Sequence, residues 1–301
     1  QRQMCIRDSI PRDIFLQEVE YKVPTEIDLP GYSPTISGNT KQLKRAAELI
    51  KNAKKPVILA GHGVLISQAY SELKTLAENA QIPVITTLLG ISCFPEDHVL
   101  SAGWPGMHGL AYSSLAIDES DLLIALGMRF DDRITGNPSK FSTNSKKIHV
   151  DIDPSEIGKN IHVDVPIVGD VKEVLLSLNE LVDPKTHPDW IKRIEQLKKE
   201  HPSLDLPKTG KLLARQVIRD ISEITDGRAI VVTGVGQHQM WAAQHYTFKE
   251  PCSLITSGGS GTMGFEVPAA MGAQVAKPDS TVWSIAGDGG FQMTMSELAT
   301  I

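Results

Sequence analysis

The stretch Pro56–Ala60 (PVILA), followed by the turn Gly61-His62-Gly63, decides the predicted fold. Five consecutive apolar residues without polar alternation are typical of a strand that is buried on both faces of a parallel sheet. Similar apolar runs recur at Pro83–Leu88, Leu122–Leu126, Lys147–Ile152 and Pro166–Val168. Apolar residues at helical spacing mark helices at Gln42–Asn52, Ser67–Asn79 and Val171–Leu181. This alternation predicts a doubly wound α/β domain with a parallel sheet over residues 38–183.

A second α/β unit is predicted over residues 211–301. It begins with a predicted helix at Leu212–Ile224. Three apolar runs follow as predicted strands, at Ala229–Thr233, Ser253–Thr256 and Thr281–Ala286, and a last helix is predicted to begin near Met293. Residues 184–210 carry four prolines around a charged helix, Trp190–Glu200, and are predicted to form a linker. The unpatterned residues 1–9 (QRQMCIRDS) are interpreted as a terminal scar. Because the chain ends inside an apparent helix, we expect it to be a fragment of a longer protein.

The composition is typical of a soluble globular enzyme. The 301 residues include 30 Lys and Arg against 36 Asp and Glu, which gives a net charge of −6 at pH 7. Without a basic block the chain is not expected to bind nucleic acid, and no run approaches the ~18 apolar residues of a membrane span. Cys5, Cys93 and Cys252 are far apart, which excludes a cysteine-rich zinc site and fits a reducing compartment. We therefore expect a cytoplasmic protein.

The loops after the predicted strands are the candidate binding sites of the first domain, because ligands of parallel α/β sheets bind beyond the carboxyl ends of strands. Glycines follow three of these strands, and Asp151 and Asp153 end a fourth. Backbone N–H groups at glycines can approach a phosphate, and the acids can accept hydrogen bonds from ribose hydroxyls. Together they indicate a dinucleotide, although glycines can also simply close tight turns. In Gly127–Gly136 (GMRFDDRITG) the arginines could either grip a pyrophosphate or pair with the neighbouring aspartates.

Two glycine-rich turns mark the second unit. Gly259–Gly264 (GSGTMG) fits the pattern G-x-G-x-x-G of NAD sites, but Asp288, the nearest candidate for the ribose-binding acid, lies 24 residues past Gly264. Asp288 instead stands in the turn Gly287–Gly290 (GDGG), where it could ligate a divalent cation that bridges phosphate oxygens. The alternative is that Asp288 only caps a helix. The sequence has no G-x-S-x-G, H-E-x-x-H or Walker A motif.

Taken together, these motifs resemble those of thiamine-diphosphate enzymes, in particular the catalytic large subunits of the acetolactate synthase (acetohydroxyacid synthase) family. The resemblance covers about residues 10–301. It rests on the GDG turn and on TTLLG, FPEDH, GMHG, RFDDRITG, HVDIDPSEIGKN, GQHQMWAAQ and LITSGGSGTMG, which begin at Thr86, Phe94, Gly106, Arg129, His149, Gly236 and Leu254. It implies a tail of an N-terminal pyrimidine-binding domain over residues 1–37, a central FAD-binding domain, and the opening of a C-terminal diphosphate-binding domain.

The resemblance also implies the binding residues. FAD would contact Gly61, His62, Gly63, Thr86, Leu88, Met107, His108, Gly109, Gly127, Arg129, Asp131, Arg133, Asp151, Ile152, Gly169 and Asp170. Thiamine diphosphate would contact Val235, Gly236, Gln237, His238, Gly259, Met263, Asp288, Gly289 and Gly290. Asp288 would also be a Mg²⁺ ligand, and Met263 would hold the two rings of the cofactor in a bent arrangement. FAD is expected to be structural in this family.

The implied activity is that of a carboligating transferase in branched-chain amino acid biosynthesis. It condenses pyruvate with a second 2-oxo acid, pyruvate or 2-oxobutyrate, and releases CO₂. The family implies a homodimer or tetramer, a small regulatory subunit, and a plastid location in a plant. The alternatives that remain are a related pyruvate oxidase or 2-oxo acid decarboxylase, a non-catalytic FAD-binding module, and an NAD-dependent dehydrogenase.

This chain departs from the family pattern in three respects. The glutamate that activates the aminopyrimidine is expected in an N-terminal domain that the sequence lacks. The remaining Mg²⁺ ligands are expected beyond Ile301, so no catalytic residue is assigned and the chain alone is expected to be inactive. Glu266 stands where a small or apolar residue is expected, and Trp104 is atypical ahead of GMHG. A buried carboxylate without a partner at Glu266 would be costly.

Overall fold

The computed structural model describes residues 12–23, 33–207 and 210–301, so residues 1–9 lie outside the described part. Two short 3₁₀ helices occupy Leu88–Gly90 and Met295–Ala299. The strands are β1 Pro56–Ala60, β2 Val84–Thr86, β3 Leu122–Leu126, β4 Lys146–Asp151, β5 Val165–Val168, β6 Ile230–Thr233, β7 Leu254–Thr256 and β8 Val282–Ile285. The α-helices are α1 Arg12–Phe15, α2 Thr40–Asn52, α3 His62–Ile66, α4 Tyr70–Asn79, α5 Ala111–Glu119, α6 Asp132–Thr135, α7 Val171–Leu181, α8 Pro188–Glu200, α9 Ala214–Ile224, α10 Gln237–His245, α11 Glu266–Ala276 and α12 Asp288–Thr294.

The first sheet has five parallel strands in the order β2-β1-β3-β4-β5. The chain proceeds outward in one direction from β1 to β2 and in the other from β3 to β5. The order therefore reverses between β1 and β3, as expected for a doubly wound fold. All five carboxyl ends lie at one edge of the sheet because the strands are parallel. The predicted α/β class is confirmed.

Alternate residues of the buried strands face two apolar clusters, one on each side of the sheet. In β1, Ile58 and Ala60 belong to the first cluster, and Val57 and Leu59 belong to the second. Side chains from α2, α4 and α7 complete the first cluster, whereas α5 and α8 contribute to the second. Burial on both faces explains why these strands are apolar throughout.

Residues 184–210 contain the expected helix, and this helix packs against the central sheet. Trp190 of α8 is 3% exposed, and its Nε1 donates a hydrogen bond to the carbonyl oxygen of Pro56 at 2.9 Å. Ile194 and Leu197 on the same helix lie in the second apolar cluster. The apolar face of α8 is therefore buried against the central sheet.

The second sheet has three parallel strands in the order β7-β6-β8. Helices α9 and α10 add Ile218, Ile221, Ala242 and Ala243 to the second apolar cluster, which thus includes residues of both α/β units. The two units consequently share one apolar core. Their predicted boundaries remain predictions.

Two helix predictions were wrong. The predicted helix Ser67–Asn79 begins only at Tyr70, and the preceding helix α3 ends at Ile66. Between them Gln68 has a φ of 53°, in the left-handed region, which interrupts helical hydrogen bonding. The last helix begins at Asp288 and not near Met293, because the glycines of the GDGG turn belong to its first turn. Because glycine has a low helix propensity, the sequence did not indicate that α12 begins at Asp288.

Candidate functional site

The point where strand order reverses is formed by the loops after β1 and β3. A Cβ atom on Gly61 would overlap the carbonyl oxygen of Gly127, and one on Gly63 would lie 2.6 Å from Gly127 Cα. Gly127 has a φ of +57°, a conformation that favours glycine. The structure thus brings together three of the predicted FAD-binding glycines. Packing between the loops already requires them to be glycine.

The loop at residues 106–109 contacts the arginine-containing segment at residues 129–136. The backbone N–H of Met107 donates to the carbonyl oxygen of Arg133 at 3.0 Å, and Arg133 Nη1 lies 3.6 Å from Met107 Sδ. A Cβ atom on Gly106 would overlap the Arg133 carbonyl oxygen. Residues 106–109 and 129–136 therefore form one continuous surface beside the carboxyl ends of the strands.

Two predicted FAD-binding aspartates act locally as helix caps. Asp131 accepts a hydrogen bond from the N–H of Arg133 at 3.2 Å, and Asp170 accepts one from Lys172 at 2.9 Å. Asp131 also lies 3.7 Å from Arg129 in a half-exposed ion pair. These two acids therefore have structural roles, as helix caps and, for Asp131, as a partner of an arginine, whether or not they also contact a ligand. Capping uses Oδ1 in each case, and Oδ2 of Asp131 is the atom that pairs with Arg129.

Asp151 lies at the carboxyl end of β4, between the neighbouring loops. It accepts a hydrogen bond from the Asp153 N–H at 2.9 Å, while its own carbonyl oxygen accepts one from Gly169 at 3.0 Å. Burial, together with the negative charges of Glu156 and Asp153, raises the pKa of Asp151 to about 6, although the hydrogen bond from the Asp153 N–H opposes this shift. Ile152 beside it is exposed. This strand end presents a carboxylate that a hydroxyl donor would stabilise.

The remaining residues of the predicted FAD set surround this edge. Thr86 is buried at the end of β2, and His62 Nδ1 lies 2.9 Å from the Leu89 carbonyl oxygen next to Leu88. His108 is exposed, and its carbonyl oxygen accepts a hydrogen bond from Gln244 of α10 at 2.8 Å. Trp104, ahead of this loop, is buried in the second apolar cluster, so packing explains its size.

A cavity of about 740 Å³ opens at the carboxyl edge of the second sheet. This volume is typical of ligand pockets. It collects all of the predicted thiamine-diphosphate residues except Gly259, which is exposed elsewhere on its loop. The residues that line it are Ala214, Val217, Ile218, Ile221, Val235, Gly236, Gln237, His238, Trp241, Met263, Glu266, Trp283, Ser284, Ile285, Ala286, Gly287, Asp288, Gly289 and Gly290.

Parallel pairing of β6 and β8 explains why residues 50 positions apart in the chain meet in this cavity. Both strands end at the same edge, so the loops 234–236 and 286–287 lie side by side. Gln239 of α10 donates a hydrogen bond to Thr256 Oγ1 at 2.8 Å, and Thr256 also accepts one from Thr233 at 2.8 Å. These bonds fix the start of α10 at the ends of β6 and β7.

Glycines give the cavity an open backbone wall. A Cβ atom on Gly287 would lie 2.9 Å from His238 Cε1, and one on Gly289 would lie 3.1 Å from Met263 Cε. Gly236 has a φ of +145° at the start of α10. Exposed N–H groups of this kind suit the oxygens of a diphosphate. The Met263 side chain, half-exposed, projects over this wall.

Asp288 is the candidate cation ligand. The N-cap position of α12 is Gly287, so Asp288 is not the N-cap residue of that helix. Within the described ranges, no group of three or more His, Cys, Asp and Glu side chains is arranged to hold a metal ion. Asp288 would therefore share a cation with diphosphate oxygens or with other ligands.

Glu266 and His238 bring unpaired polar atoms to the floor of the cavity. Glu266 is 1% exposed, and neither of its carboxylate oxygens has a hydrogen-bond partner among the described residues. The same is true of His238 Nε2. Burial lowers the pKa of His238, and the charges of Glu266 and Asp288 oppose that shift. Glu266 was identified as atypical from the sequence, but the cavity residues Trp241, which lies inside the quoted motif GQHQMWAAQ, and Trp283, which lies in no quoted motif, were not assigned.

Comparison with known families and proteins gives a consistent result. Residues 43–178 match the central domain of thiamine pyrophosphate enzymes, and residues 234–301 match their C-terminal domain, which binds thiamine pyrophosphate (thiamine diphosphate).

No helix in the described ranges is both long and apolar enough to span a membrane.

Several curated proteins are similar along almost the whole chain. It is 46% identical to an acetolactate synthase of Mycobacterium leprae and 47% identical to an acetolactate synthase large subunit of Corynebacterium glutamicum. Identity is also 47% with a probable acetolactate synthase large subunit of Methanocaldococcus jannaschii. Each match covers 97% of this chain, which spans about half the length of these relatives. With two successive domains of one family matched in order, the chain belongs to the thiamine pyrophosphate enzymes and is similar to acetolactate synthase large subunits.

Proposed function

We propose that this chain supplies the cofactor-binding domains of an acetolactate synthase. The enzyme would condense pyruvate with a second 2-oxo acid, pyruvate or 2-oxobutyrate, and release CO₂. The cavity at the edge of the second sheet carries the proposal, because eight of the nine residues implied for thiamine diphosphate line it. The similarity to acetolactate synthases over 97% of the chain supports this activity over that of a pyruvate oxidase or a decarboxylase.

The residues of the cavity fit thiamine diphosphate with Mg²⁺. The backbone at Gly236, Gly287 and Gly289 is free of side chains and could approach the diphosphate. Asp288 would bind the cation, for which a carboxylate oxygen is a suitable ligand. Met263 would support the rings from the side of Gly289. When bound, the cofactor supplies the electron sink for decarboxylation and carbon–carbon bond formation, while the protein orients it and limits access of water.

For the central unit we propose FAD as a structural ligand. The loops after β1 and β3 would receive it at the point where strand order reverses. Arg129 and Arg133 would neutralise its diphosphate, and Asp151 could accept hydrogen bonds from ribose hydroxyls. Oδ2 of Asp170, which does not cap α7, could serve the same purpose.

The wider setting follows from the same proposal. We expect a homodimer or tetramer with a small regulatory subunit and a cytoplasmic location. The domain limits 38–183, 184–210 and 211–301 are part of the proposal. Helix α8, which packs on the central sheet, would then hold the two cofactor-binding units together.

The test uses the full-length protein encoded by the gene, incubated with pyruvate, with and without 2-oxobutyrate. Each of Mg²⁺, FAD and thiamine diphosphate is omitted in turn, and the product is identified. Acetolactate, or acetohydroxybutyrate with the second substrate, formed only with thiamine diphosphate and Mg²⁺ is the expected result. Free aldehyde, acetate or acetyl phosphate would instead assign a decarboxylase or an oxidase. Absence of turnover despite bound FAD would indicate a non-catalytic module.

A further inference from the structure

Glu266 is the one group in the cavity whose burial the proposed cofactor contacts leave unexplained. It is the first residue of α11 and is 1% exposed, yet its two carboxylate oxygens have no hydrogen-bond partner in the described part of the chain. Burying a carboxylate without a partner is strongly unfavourable. A residue with this cost is expected to have a partner in the functional state of the protein.

Geometry identifies His238 as that partner. A Cβ atom built on Gly234 would lie 2.7 Å from Glu266 Oε2 and 2.8 Å from His238 Nε2, so the two atoms are no more than about 5.5 Å apart. Both atoms are buried and unpaired. A hydrogen bond between them would require the two side chains to move toward each other when the cofactor binds. Gly234 makes this approach possible, because any larger residue there would separate them.

The Nδ1 side of the His238 ring faces the glycines that line the cavity. Nδ1 of His238 would lie 3.4 Å from a Cβ atom on Gly236 and 3.3 Å from one on Gly287. These two glycines flank the proposed position of the diphosphate. Glu266 therefore lies behind the ring and the diphosphate in front of it. This is the arrangement in which a carboxylate behind a histidine fixes the orientation of the ring.

We propose that Glu266 is a positioning residue that orients His238 toward the diphosphate of thiamine diphosphate. When the cofactor binds, His238 takes up a proton from water and, as an imidazolium, donates Nε2–H to the Glu266 carboxylate and Nδ1–H to a diphosphate oxygen. The pair neutralises the buried carboxylate when the cofactor binds. This inference rests on the proposed thiamine-diphosphate site and adds to it a residue outside the set implied by the family resemblance.

The test is a double-mutant cycle on cofactor affinity in the full-length protein. The variants are E266Q, H238Q and the double variant, and E180Q is the control for loss of one negative charge at an exposed position of α7. Binding of thiamine diphosphate with Mg²⁺ is followed by quenching of the fluorescence of Trp241 and Trp283, which line the cavity. We expect E266Q to weaken binding about tenfold with His238 present and less than twofold in the H238Q background.

A second measurement separates positioning from structural support. Without cofactor, glutamine at position 266 removes an unpaired buried charge, so the apo protein is expected to unfold at a higher temperature than the wild type while it binds the cofactor more weakly. An equal loss of affinity in both His238 backgrounds, or no loss, would overturn the inference. If wild-type protein does not bind thiamine diphosphate, the proposed function fails instead.

Discussion

Replacement of Gly127 by alanine is expected to destabilise the central unit by about 2–4 kcal/mol. Gly127 has a φ of +57°, which costs about 1 kcal/mol for a residue with a Cβ atom. The new Cβ would also lie 2.6 Å from Gly63 Cα and 3.0 Å from Val171 Cγ2. The first of these neighbours is backbone and cannot rotate away, so overpacking adds about 1–3 kcal/mol.

The matched control is Gly158→Ala. Gly158 has a φ of +73°, but nothing lies within 4 Å of the position of its Cβ. This variant is expected to lose only the ~1 kcal/mol of backbone strain. Urea unfolding followed by far-UV circular dichroism compares the two variants with the wild type, and FAD titration shows whether the displaced loops still bind. Equal losses in the two variants would refute the close approach of the loops after β1 and β3.

Two further predictions concern contacts between elements. Burial raises the pKa of Glu96 from 4.5 to about 8, although its carboxylate accepts a hydrogen bond from the Phe248 N–H at 2.8 Å. The folded protein therefore retains a proton that the unfolded chain releases, and stability is expected to fall as the pH rises from about 4.5 to 8. Glu96→Gln should flatten the profile of melting temperature between pH 5 and 9, and an unchanged profile would contradict this assignment. Trp190→Phe removes the donor to the Pro56 carbonyl oxygen and is expected to cost about 1–3 kcal/mol, measured by thermal unfolding, whereas a neutral substitution would contradict the importance of that hydrogen bond.

The sequence predicted the elements whose local signals were strong and unopposed. β1 and β3 begin and end as predicted, because apolar residues fill the strands and polar or glycine residues flank them. Helix α7 also matches its predicted bounds, and Asp170 before it is a good N-cap. The prediction that a helix begins at Ser67 was wrong because Gln68 has a positive φ, which breaks the helix and which hydrophobic periodicity does not indicate.

Motifs predicted the loops that form the cavity of the second α/β unit, but they did not predict the contacts inside it. The glycine turns identified the loops after β6 and β8, and parallel pairing then brought them together. Glu266 was predicted to be costly if buried, but its neighbour His238 lies 28 residues away in the sequence and 50 residues from Asp288. The proximity of Glu266 and His238 depends on strand order and on the absence of a side chain at Gly234, and neither can be predicted from a local pattern.

Helix α10 connects the two candidate cofactor sites. Its first residues, Gln237 and His238, line the cavity, and Gln244 near its end donates a hydrogen bond to the His108 carbonyl oxygen in the loop proposed to contact FAD. A second contact lies nearby, where a Cβ atom on Gly258 would be 2.9 Å from Leu89 Cδ2. A helix transmits displacement along its axis because its hydrogen bonds resist bending. Occupation of the proposed FAD site would therefore restrict the position of His238, and bound FAD would then affect thiamine-diphosphate binding through α10.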